Sequence, residues 1–216
     1  MKSEENAFEP PGRENDVSAT VHLTWDAERL SEFLVLLSRG VMLKTRLDSG
    51  LKSVLCRELG TTREFLSRKV SAAFLNGKTV DDLDSAKLEP GSTVALSGCL
   101  TEPFLLHAFS QRWFPQEMSE EAGQAHENSA QSVHEAFFTL KILNVLIGDF
   151  GPHLLESGVW IDAKSLEEFF ASRSPKFWTG LKTASVDETK IDSASLAQRP
   201  WSKEPGLVKL IVETVN

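Results

Sequence analysis

Residues 71–97 read SAAFLNGKTVDDLDSAKLEPGSTVALS, and this stretch decides the fold class. A short apolar run, Ala72–Leu75, is followed by Asn76-Gly77 and then by Lys78-Thr79-Val80. Asn-Gly between apolar runs signals a hairpin, because a type I′ turn requires positive φ at both central residues. Asp81, Asp82 and Asp84 then end the strand pattern, since Asp favours turns over sheet ladders. Pro90-Gly91 makes a second turn. Thr93–Ser97 alternates, with Val94 and Leu96 on one face, and reads as a third strand. Upstream, Thr61 and Glu64 have capping-box spacing ahead of Phe65, Leu66 and Val70. The predicted core is helix, tight hairpin, turn and strand.

Before this core, Val17, Ala19, Val21 and Leu23 alternate with polar residues and predict a half-buried strand. Asp26 is placed to cap a helix carrying Leu30, Phe33, Leu34 and Leu37, which Arg39-Gly40 ends. Val41–Arg46 reads as a strand and Asp48-Ser49-Gly50 as a turn. Residues 51–59 read as a helix with Leu51, Val54, Leu55 and Leu59 inward, stopped by Gly60. The first 16 residues are acidic, with Pro10-Pro11 and Gly12, and predict a disordered tail.

After the core, the aromatic-rich residues 104–114 predict a short helix ended by Pro115, and residues 116–131 hold a single large apolar residue, Met118. The expected organisation is a tail over residues 1–16, a first half over 17–115, a polar linker over 116–132 and a second half over 133–216. In the second half, residues 137–143 alternate as a strand and Asn144 is placed to cap a helix that Gly151-Pro152 interrupts and Gly158 ends. Residues 159–161 form a short strand, and Ser165 with Glu168 a capping box before Phe169 and Phe170. Residues 173–200 read as irregular, and the strand at residues 207–212 ends the pattern. Glu89-Pro90-Gly91 before Val94 is echoed by Glu204-Pro205-Gly206 before Val208, although Pro-Gly turns ahead of strands are common. The fold class is α+β: a small hairpin-centred sheet with short helices, plus a second α+β half.

Composition narrows the function. Hydrophobic residues make up 41% and charged residues 25% of 216, ordinary for a globular chain. A net charge of −8 argues against a general polyanion binder. Two cysteines, Cys56 and Cys99, are too few for a disulfide scaffold and read as reduced thiols. With no apolar leader run and no stretch of the roughly 20 residues a bilayer needs, the expected location is cytoplasmic, with no membrane partner. The histidines at 22, 107, 126, 134 and 153 have no metal-ligand spacing, and Asp81, Asp82 and Asp84 lack the calcium-loop pattern. There is no Walker sequence, G-x-G-x-x-G or G-x-S-x-G. No catalytic residue, metal or cofactor is assigned. Ser97-Gly98-Cys99 could present a nucleophile at a strand end, but no base stands nearby in sequence.

Charge is distributed unevenly. From Lys44 to Lys78 eight basic residues face three acidic ones, which offers a local basic face made by Arg57, Arg63, Arg68, Lys69 and Lys78. Two short helices followed by L-N-G-K-x-V (residues 75–80) and L-x-x-G (residues 88–91) resemble a small RNA-binding module. That module occurs in a small-subunit ribosomal protein, pseudouridine synthases and tyrosyl-tRNA synthetases. The segment FLNGKTVDDLD (residues 74–84), the A-L-S strand end and LKILNVLIGDFGPHLLESGV (residues 140–159) together resemble an uncharacterised bacterial family, which implies a bacterial origin and no activity. The first half also resembles a β-grasp, the ubiquitin-like fold. Sulfur carriers of that class end in Gly-Gly, whereas this chain ends in Glu213-Thr214-Val215-Asn216, so carrier chemistry is not expected.

The leading expectation is a non-catalytic intracellular module that binds another protein through Asn76, Gly77, Lys78 and the flanking strand edges. The alternative is RNA binding through Arg57, Arg63, Arg68, Lys69 and Lys78. A third reading is a small-molecule enzyme with its site between the halves.

Overall fold

The computed structural model describes residues 17–98, 135–143, 145–201 and 206–215. The tail over residues 1–16, the helix over 104–114, the linker over 116–132, Asn144, Cys99 and the histidines at 107, 126 and 134 lie outside the described residues.

The first half runs β1 (Val17–Asp26), a 3-10 turn (Ala27–Glu32), α1 (Leu34–Arg39), β2 (Val41–Arg46), α2 (Leu51–Glu58), α3 (Arg63–Lys69), β3 (Ala72–Leu75), β4 (Lys78–Thr79) and β5 (Thr93–Ser97). The second runs β6 (Glu135–Leu143), α4 (Leu146–Ser157), β7 (Val159–Asp162), α5 (Ala163–Ala171), α6 (Pro175–Trp178), β8 (Leu181–Val186), β9 (Thr189–Lys190), α7 (Ser193–Gln198) and β10 (Leu207–Val215). The chain is α+β. Apart from the 3-10 turn and α7, the order of elements in the first half recurs in the second, and the Glu-Pro-Gly echo precedes corresponding strands, β5 and β10.

The ten strands among the described residues join one mixed sheet in the order β4-β3-β5-β6-β2-β7-β10-β1-β8-β9. Each half has lent a strand to the other. β6 lies between β5 and β2, parallel to β5, with Thr93 opposite Thr139 and Ser97 opposite Leu143. β1 lies between β8 and β10, parallel to β10, with Leu23 opposite Val212. The two groups of five strands meet where β2 touches β7 at Met42 and Trp160.

Strand alternation sends one set of side chains to the helices and the other to the opposite face. Val21, Leu23, Val41, Leu43, Val94, Leu96, Leu140, Ile142, Val208 and Leu210 share a core with buried residues of the helices. At its second-half end Trp25 meets Phe33 edge-on at 4.8 Å and Phe177 at 4.7 Å. On the opposite face Met42, Phe137 and Leu207 form a separate cluster with Trp160.

Most predicted elements form, and four differ in detail. Thr62, not Thr61, caps α3: its side chain accepts from the Phe65 N–H at 3.2 Å. Asp162, not Ser165, caps α5, accepting from the Ser165 N–H at 3.0 Å, so the helix begins inside the supposed capping box. Helix α4 runs through Gly151-Pro152 without a break. Pro152 is exposed, where one lost backbone bond is tolerated. Gly151 is needed for packing, since a Cβ there would stand 2.5 Å from Leu34 Cδ2 and 2.9 Å from Leu37 Cδ1. Residues 173–200, expected to be irregular, hold two helices and the β8–β9 hairpin. That hairpin turns on Asp187 (φ 47°) and Glu188 (φ 66°), a pair with no glycine to announce it.

Candidate functional site

The predicted hairpin forms at Asn76 (φ 49°) and Gly77 (φ 79°). Asn76 is held there by its neighbour strand: Asn76 N donates to Thr93 O at 2.8 Å, and Thr93 N donates to Asn76 Oδ1 at 2.8 Å. The β8–β9 turn repeats this arrangement on β1. Asp187 N donates to Thr20 O at 2.9 Å, and Thr20 N donates to Asp187 Oδ1 at 2.8 Å. Asn76 thus has a structural duty that a second turn in the same chain performs with Asp. Both outermost strands are two residues long and carry a lysine, Lys78 and Lys190, which blunts pairing with a foreign strand.

The basic face is largely engaged within the molecule. Arg57 contacts Asp48 at 3.4 Å and Glu58 at 3.1 Å, and its Nη2 donates to Thr45 Oγ1 and Arg46 O, each at 2.7 Å. Arg63 meets Asp84 at 2.7 Å. Lys69 meets Asp149 on α4 at 2.9 Å and lies 5.3 Å from the Phe65 ring centre, with Arg68 at the same distance from that ring. Asp84 and Asp149 lie outside the sequence window in which the positive excess was counted. Asp82, which follows the hairpin, is a turn former: its carboxylate accepts from the Asp84 N–H at 2.9 Å, and that bond with one from Ser85 holds its pKa below the usual value. Among the described residues, no three His, Cys, Asp or Glu side chains are grouped to hold a metal ion.

Among the described residues, a depression lies in the other half, on the sheet face opposite the helices. Register places Ile211 of β10, His22 of β1 and Ser185 of β8 side by side in one row, with Lys190 of β9 beyond Ser185. The next row is Glu213, Thr24 and Thr183, and Thr183 Oγ1 donates to Thr24 Oγ1 at 2.7 Å. On the other side Lys209 and Thr20 flank the row, with the Asp187-Glu188 turn at its end. Thr20, His22, Ser185, Asp187, Glu188 and Ile211 line an open depression of about 410 Å³.

His22 Nε2 lies 3.2 Å from Glu213 Oε2, but it makes no hydrogen bond. Nε2 itself is closed to solvent, although 42% of the His22 side chain is exposed. Lys209 is drawn aside over the Trp160 ring, 4.9 Å from its centre. The depression therefore offers one apolar side chain, several hydroxyls and carboxylates, and an imidazole.

Sequence reasoning singled out none of these residues. The alternation of β1 did place Thr20, His22 and Thr24 on the polar side, but their neighbours on β8 and β10 lie some 160 to 190 residues away in the chain. No family model matches the chain, and no match was found among curated proteins or solved structures. Among the described residues, no helix is long and apolar enough to cross a membrane.

Proposed function

We propose that the chain is a non-catalytic interaction module that binds another protein through the solvent face of β8, β1 and β10. The observation that carries this reading is Ile211, a half-buried apolar side chain at the β10 end of an open depression whose other lining is polar: Thr20, His22, Ser185, Asp187 and Glu188. An apolar side chain beside a polar rim has the mixed polarity of a protein-binding patch. The partner is a polypeptide that sets an apolar side chain on Ile211 and meets the rim with both donors and acceptors. The surface differs from the hairpin at Asn76, Gly77 and Lys78, whose short lysine-bearing edge is poorly suited to strand addition. The cytoplasmic setting and the β-grasp likeness of the first half, supported by its tight hairpin beside β5, belong to the same reading.

The test is affinity capture from lysate at physiological salt, with and without nuclease. Wild type is compared with Ile211→Arg and with Arg63→Ala/Arg68→Ala, after thermal melts establish that each variant folds. A protein retained through nuclease and by the arginine double variant, and lost from Ile211→Arg, is the expected result. RNA recovered from wild type and lost from the arginine double variant overturns it in favour of RNA binding. Equal capture by wild type and Ile211→Arg removes this face from the binding surface.

A further inference from the structure

We draw no further inference here: the strongest candidate, the buried sheet face opposite the helices around Phe74, Ala95, Phe137 and Met42, carries nothing because no element among the described residues shows what covers it.

Discussion

The two hairpins give a test of local structure in which one half of the molecule predicts the behaviour of the other. Asn76→Ala removes the acceptor for the Thr93 N–H, a bond of 2.8 Å near the surface. Its net loss is about 0.5–1 kcal/mol, because water reaches the freed group. Alanine must also hold φ near 49°, where an ordinary side chain costs roughly 1 kcal/mol more than Asn. The sum is about 1.5–2 kcal/mol. For a chain of this length that is a fall of about 3–8 °C in Tm, at about 2–4 °C per kcal/mol. Asn76→Asp keeps both the acceptor and the tolerance for positive φ, as Asp187 does against Thr20 at 2.8 Å, and is expected within about 0.5 kcal/mol of wild type. Urea unfolding with a common m-value measures both variants. If Asn76→Ala is neutral, or if Asn76→Asp is as damaging as alanine, the hydrogen bond to the neighbouring strand is not what fixes the turn. The same loss is expected for Asp187→Ala.

Three further outcomes follow from the helices. Gly151→Val should destabilise by about 1–2 kcal/mol, the cost of overpacking against Leu34 and Leu37 less the helix-propensity gain, whereas exposed Gly148→Ala, with open space at its Cβ, should stabilise by about 0.5–1 kcal/mol; chemical denaturation reads both. Thr62→Ala should cost about 1 kcal/mol and Thr61→Ala almost nothing, which separates the observed cap from its neighbour in the same assay. The backbone N–H and hydroxyl of Ser195 lower the pKa of Asp192 at the start of α7. A carboxylate depressed in the folded state stabilises above its unfolded pKa of about 4, and that contribution is lost as pH falls through the folded value. Asp192→Asn, which keeps an acceptor but cannot titrate, should flatten the acid limb of the stability–pH curve; an unchanged limb would remove Asp192 from the acid response.

What the sequence disclosed was set by range. Asn76-Gly77, Gly40, Gly60 and Gly158 announce turns and helix ends because positive φ is a local demand that glycine and asparagine meet, and each takes positive φ. The alternation of Val21 and Leu23, or of Val94 and Leu96, announces a buried face for the same reason. The Asp187-Glu188 turn adopts the same backbone without a glycine, so the β8–β9 hairpin left no mark. Gly151-Pro152 misled in the opposite sense: a pair that breaks helices in isolation serves here to bring α1 close to α4. The charge count sees only the residues of its own window. Arg63 finds Asp84, and Lys69 finds Asp149 across 80 positions, so a positive excess along the sequence is not a free positive surface in space.

The exchange of strands also assembles the surface proposed for binding. Every side of the depression comes from a different part of the chain: Thr20 and His22 from the first strand, Ser185, Asp187 and Glu188 from the late hairpin, Ile211 from the last strand. β1 belongs to the first half by sequence, yet pairs along both edges with strands of the second. A fragment beginning after β1 would lose the middle strand of the face and the Thr20 backbone that holds the Asp187 turn. A fragment ending at β5 would lose β6 from between β5 and β2, leaving both strands with unpaired edges. The division into halves that the linker suggests thus describes the order of elements, whereas the surface proposed for binding exists only when β1 and β10 lie side by side in the intact chain.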